Sequence, residues 1–288
     1  MKRQLAAGLA GAPALAAAHG QASLETWPWN DDAWLWVLVL AAGLAYGAGL
    51  RRLWRSAGVG RGIGRASAGA WAAGWALLAL ALLSPLDPLG SVSFAAHMVQ
   101  HELLMLVAAP LLVVGRPLVA GTWALPARWR GPVARGLQRT GVTGAVQRLS
   151  HPVVAWLLHL VVLWGWHAPP LFEAALHHDG VHVLQHASFF VSALLYWWAL
   201  VQPGRLAAVP LSVATTAMHT GVLGALLTFS TTVWYPHYRG GAGPGKLDAL
   251  ADQHLGGLIM WVPAGAVMLA VALAALVSLL RRLEPAPR

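Results

Sequence analysis

The sequence predicts an all-α protein, a polytopic membrane helix bundle of about seven transmembrane helices with an outer amino end and a cytoplasmic carboxyl end. Three observations lead there. Of the 288 residues 58% are apolar and 10% charged, a balance too greasy for an ordinary soluble domain. The apolar residues come in runs of about 18 to 25, the length a helix needs to cross roughly 30 Å of hydrocarbon, where a helix satisfies its own backbone groups. The basic residues sit between those runs and favour one side.

From the amino end, Lys2 and Arg3, an apolar stretch from Leu5 to Leu15 and the small run Ala16, Ala17, Ala18 have the layout of a secretory signal peptide. Residues 1–18 are therefore expected to be a cleaved signal peptide, and 19–288 a single transmembrane helical domain. Spanning helices are expected near 33–50, 68–86, 93–114, 152–167, 181–201, 209–232 and 254–280. Arg51, Arg52, Arg55, Arg61 and Arg65 follow the first of them. Arg116, Arg128, Arg130, Arg135, Arg139 and Arg148 follow the third, Arg205 the fifth, and Arg281, Arg282 and Arg288 the seventh. Between helices, only Arg239 and Lys246 fall on the opposite side, and short cytoplasmic loops retain Lys and Arg. Acidic residues show the reverse bias, with Glu284 alone inside. The stretch near 116–150, rich in Gly, Pro and Arg, reads as a basic cytoplasmic loop with a surface-lying amphipathic piece against anionic lipid. Trp27, Trp29, Trp34, Trp36, Trp164, Trp166 and Trp234 lie near helix ends as an interfacial belt.

Several chemistries are excluded. With no cysteine, disulfides, thiolate metal sites, iron–sulfur clusters and Cys-based copper transfer are absent, so any metal must be held by His, Met, Asp or Glu. The basic residues form blocks between apolar runs rather than one continuous surface, so no nucleic-acid partner is expected; the lipid bilayer is. His101 and Glu102 begin a zinc-protease motif, but Met105 stands where its second His is required. No nucleophile elbow, phosphate loop or dinucleotide turn appears in its strand and helix context. The protein is not expected to be an enzyme.

What remains is histidine. The third helix opens His97, Met98, Val99, Gln100, His101 and the fifth opens His182, Val183, Leu184, Gln185, His186, both H-x-x-Q-H. Residues four apart share a helix face, so each pair presents two imidazoles to one point near the outer surface. His167 ends the fourth helix, Asp252 and His254 begin the seventh, and Met105 follows His101 by one turn. His177, His178 and His237 fall in outer loops. His159 and His219 lie nearer mid-membrane and read as polar links between helices, while His151 is on the cytoplasmic side. Imidazole suits copper, zinc and iron, and a thioether adds preference for reduced copper. A haem held by one His from each of two helices fits the same pattern, and single histidines near helix ends also serve as interhelical hydrogen-bonding groups.

The run from His97, Gln100 and His101 through Pro110, Leu111 and Leu112 to Gly115, Arg116 and Pro117 resembles the CtaG family of cytochrome c oxidase assembly factors. Trp166, His167, Pro169, Leu171, Ala174, Ala175 and Leu176 resemble its W-H-x-P segment. Asp252, Gln253, Gly256, Gly257, Met260 and Trp261 resemble its D-Q-x-x-G-G-x-x-M-W segment. The resemblance covers about residues 35–280. Gln185 departs from it, standing where that family leans to Glu, which leaves this site one negative charge fewer.

The resemblance implies a multi-pass protein of the bacterial inner membrane, needed to mature a haem–copper oxidase by delivering or inserting copper. Its expected partners are cytochrome c oxidase subunits and a periplasmic copper chaperone. The expected copper ligands are His97, His101, His182 and His186, with His167, His254, Asp252 and Met105 as further candidates. Two alternatives stay open. One is a transporter of copper or another cation, with His159, Thr215, Thr216, His219, Thr220 and Thr228 along its route; the other is a haem-binding redox protein.

Overall fold

A computed structural model describes residues 29–241 and 247–283. The expected signal peptide lies outside the described residues, as do Trp27, Lys246, Glu284 and Arg288. Every regular element among the described residues is helical. Helix α1, Ala33–Ala57, turns through Gly58, Gly60 and Gly62, all at positive φ, into α2, Arg65–Leu83. Only glycine takes that backbone at no steric cost. Ser84 and Pro85 end α2, and the short α3, Leu86–Gly90, leads to α4, Phe94–Glu102. Helix α4 continues through a π-helical turn, Leu103–Ala108, into α5, Ala109–Val114. Pro110 explains the widened turn, because its ring and missing N–H break an α-helical ladder at the preceding turn. Trp197 uses the opening: its indole N–H donates to the carbonyl of Met105 at 2.9 Å.

The stretch expected as a basic loop is folded into α6, Pro117–Ala124, α7, Ala127–Arg139, and α8, Val142–Leu149. Arg, Ala, Leu and Gln are good helix formers, which a reading for Gly and Pro underweights. Helices α7 and α8 bury nothing, and their Trp129, Val133, Leu137, Val142 and Val146 are exposed among arginines. Arg116 enters α6 in the left-handed conformation and donates to the Gly62 carbonyl at 3.1 Å, while Gly115 lies so close to Trp71 that a Cβ would overlap the ring. The G-R-P motif is thus a packing corner.

Then come α9, Pro152–His167, α10, Pro169–His177, α11, Asp179–Val201, α12, Val209–Thr228, and α13, Ala249–Leu283. Among the described residues six helices are long and apolar enough to cross a membrane, and a seventh is counted if α8 and α9, bent by 78°, make one span. Helix α9 has 16 residues, about 24 Å at 1.5 Å per residue, short of the ~30 Å hydrocarbon core. Leu44 and Leu211 are 75% and 71% exposed, which suits a lipid-facing surface and not water. Of the spans, Phe94–Val114 is the most buried, packed by α2, α11 and α13. The bundle's two ends differ. Arg52, Arg116 and Arg205 bind the carbonyls of Ala124, Gly62 and Ser150 at one end, and the histidines gather at the other.

Candidate metal centre

The helix that carries His97 and His101 starts under unusual control. Ser93 caps it, accepting the Ala96 N–H at 3.2 Å. Asp252, from the start of α13, accepts the Phe94 N–H at 2.6 Å, the Ala95 N–H at 3.3 Å and the Ser93 hydroxyl at 2.8 Å. A carboxylate here satisfies amides that have no intrahelical partner and complements the positive end of the helix dipole. Gly256 lets α13 approach the Phe94 ring, and Gly257 lets it approach the backbone of Gly224 and Thr228. Gln253 accepts the Trp234 N–H at 2.7 Å and donates to Thr232 at 3.2 Å. The whole D-Q-x-x-G-G segment therefore docks α13 against α4 and the loop after α12.

The structure accordingly sorts the candidate ligands. Asp252 spends both oxygens on the start of α4. His254 meets the Ser230 carbonyl through Nε2 at 2.8 Å. Met105 is buried in the core beneath the cluster. Neither Asp252 nor His254 joins the group of ligating atoms that the remaining histidines form.

That group is compact. One ring nitrogen each from His97, His182 and His186 lie within 4.8 Å of one another. His101 adjoins them, with ring centroids 4.4 Å from His97 and 4.9 Å from His186, and His167 lies 6.2 Å from His101. His97, His101 and His167 are each 1% exposed or less. Phe172 and Phe189 wall the cluster, at 5.1 Å from His97 and 4.6 Å from His101 respectively.

Hydrogen bonds assign the proton on two rings. The Tyr238 hydroxyl donates to the Gly90 carbonyl at 2.9 Å, so it can only accept from His97 Nδ1, 3.2 Å away. His167 Nδ1 faces the Leu163 carbonyl at 2.7 Å and must donate. Both rings therefore keep an unprotonated, buried Nε2, and among the described residues neither Nε2 has a hydrogen-bond partner, nor does either nitrogen of His101. An outer acceptor on Nδ1–H and a free Nε2 is the usual posture of a metal-ligating histidine. His186 is held differently. Gln100 donates to the Ala81 carbonyl at 2.9 Å and to Asp87 at 2.7 Å, which aims its Oε1 at His186 Nε2, 3.1 Å away. His186 Nδ1 lies 3.2 Å from the His182 carbonyl, so both of its nitrogens have polar neighbours.

The loop after α12 covers the cluster. Tyr235 donates to the His167 carbonyl at 2.8 Å, and the His237 N–H donates to Glu173 at 3.2 Å, which also pairs with His177 at 3.4 Å. Burial pushes the phenols of Tyr235 and Tyr238 up, and nearby Glu173 adds to both, with Asp252 adding to Tyr238. Tyr238 thus remains a protonated donor. Deeper in the bundle, His159 Nδ1 meets Ser192 at 3.0 Å, and Thr215, Thr216, Thr220 and Thr228 each donate to a carbonyl of the preceding turn. Sequence reasoning missed Tyr238, Gln100 and Asp87 as supports of the cluster. Gln100 carried a signal inside its motif; Tyr238 is 141 residues from His97 and carried none.

The description cytochrome c oxidase caa3 assembly factor belongs to a family model that matches residues 44–282. An uncharacterized protein of Mycobacterium bovis and one of Mycobacterium tuberculosis are each 34% identical over 241 residues, 78% of this chain and 35% of theirs. An uncharacterized protein of Mycobacterium leprae is 29% identical over 246 residues, 81% of this chain and 36% of its own. The chain thus spans about a third of the length of these curated relatives. No solved structure matches it.

Proposed function

The chain belongs to the cytochrome c oxidase caa3 assembly factor family, and on that basis we propose that it holds copper at the outer face of the bacterial inner membrane and passes it to an oxidase subunit during maturation. The observation that carries this reading is the packing of His97, His182 and His186 with ring nitrogens within 4.8 Å, next to buried imidazole nitrogens that have no hydrogen-bond partner among the described residues. A buried polar atom without a partner costs about 1–3 kcal/mol, and a metal–nitrogen bond relieves that cost. The ligands are imidazoles and among the described residues no carboxylate joins them, which suits a soft, low-charge ion such as Cu(I) better than a hard dication. A copper chaperone on the same side supplies the ion, no nucleotide is consumed, and the protein is not a catalyst.

The test is elemental analysis and visible absorption of the detergent-purified protein beside His97→Ala/His101→Ala and His182→Ala/His186→Ala. We expect one or more equivalents of copper in the wild type, lost in both double variants, and a loss of oxidase activity in cells carrying either variant despite normal subunit synthesis. A Soret band lost in both would replace copper by haem. Normal oxidase with altered cellular copper would favour transport.

A further inference from the structure

The imidazoles are graded by depth. His182 is half-buried at the rim; His97 and His186 lie below it; His101 sits one turn further along α4, and His167 reaches it from α9. We infer that the centre has two stations for one soft cation, an outer one at His182, His186 and His97 and an inner one at His101 and His167, with His97 shared between them.

The inference rests on the metal reading above and adds a division of labour to it. Two nitrogens that share an ion at roughly 2.0–2.1 Å each stand at most about 4 Å apart. The nitrogens of the outer group, within 4.8 Å of one another, come near that limit, and the His101 and His167 rings adjoin at 6.2 Å between centroids. Among the described residues no hydrogen bond fixes the His101 ring. The Leu163 carbonyl holds the His167 ring through Nδ1 and leaves its buried Nε2 without a hydrogen-bond partner among the described residues. One adjustable and one fixed ligand suit a site that is filled by transfer. The two positions also differ in access. Phe189 lies 4.6 Å from His101 and 5.8 Å from His167, and Phe172 lies 6.1 Å from His167, so an ion there is shut from water. The outer position includes the half-exposed His182. Uptake is therefore controlled at the rim and retention at the floor.

The experiment loads the detergent-purified full chain with Cu(I) under reductant and follows uptake, then release to excess bathocuproine disulfonate, by stopped-flow absorbance. We expect His182→Ala to slow uptake by roughly tenfold or more with release unchanged, and His101→Ala and His167→Ala to load at the wild-type rate but release roughly tenfold faster or more. His101→Gln and His167→Gln carry the same expectation where alanine lowers the melting temperature. Wild type that loads, with release unchanged in every inner variant, overturns the two-station scheme alone. Wild type that takes up no Cu(I) overturns the metal reading as well.

Discussion

Tyr238 is the residue on which the assignment of the His97 tautomer turns. Its hydroxyl joins Gly90, at the end of α3, to His97 on α4, so Tyr238→Phe removes two hydrogen bonds and leaves the ring shape. We expect a stability loss of about 1–2 kcal/mol and a Cu(I) affinity lower by about 10–100-fold, the usual cost of losing an outer partner of a ligating histidine. Competition with a Cu(I) chelator measures the second effect and thermal unfolding the first. Gln185 presents the opposite case. It is fully buried, and neither its amide oxygen nor its amide nitrogen has a partner among the described residues. Gln185→Leu should therefore raise stability by about 1–2 kcal/mol and leave copper retention unchanged; a lower melting temperature would assign that amide a partner. Both H-x-x-Q-H motifs were legible as residues, yet their glutamines do different things. Gln100 braces His186 while Gln185 does not brace His101, a difference set by which neighbour each helix face meets.

Among the elements, α4 and α13 show how a motif can be visible and its role hidden. The start of α13 read as part of a ligand set, because Asp252 and His254 lie at the depth of the histidines. In the folded chain Asp252 caps α4, and the two glycines beyond it admit the neighbouring helices. Gly257 is the sharper test, since a side chain there would drive into the backbone of α12. Gly257→Val is expected to cost more than about 3 kcal/mol or to prevent accumulation of the protein. Gly265→Ala on the same helix, with no described atom within 4 Å of the added methyl, is expected to raise stability by about 0.5–1 kcal/mol, and the opposite signs of the two melting-temperature shifts separate packing from helix propensity. The helices themselves were largely readable from apolar run length. Their ends were not: α1 runs on to Ala57 through Arg51, Arg52 and Arg55, because long basic side chains can leave the apolar zone while the backbone stays helical.

For the molecule as a whole, the loop over the cluster links function to alkaline stability. Tyr235 and Tyr238 are held protonated well above the ordinary range of tyrosine. In the unfolded chain both ionise near pH 10, so their contribution is intact below that pH and is lost as pH rises above it, towards the raised folded values. The thermal midpoint should therefore fall above about pH 10, and less steeply in Tyr238→Phe; a wild-type midpoint flat to pH 12 would contradict the burial of these phenols.

The membrane class, the approximate spans and the presence of two histidine pairs on helix faces all follow from the chain's local order. Hydrocarbon demands about 20 apolar residues per crossing, and a helix aligns residues four apart whatever surrounds it. Which candidates share a site does not follow from local order. His97 meets His186 and Tyr238, while Asp252 and His254 turn elsewhere, because glycine-sized gaps and single hydrogen bonds set how helices distant in sequence rotate against one another. Those contacts have no period along the chain, so they exist only once the bundle is packed.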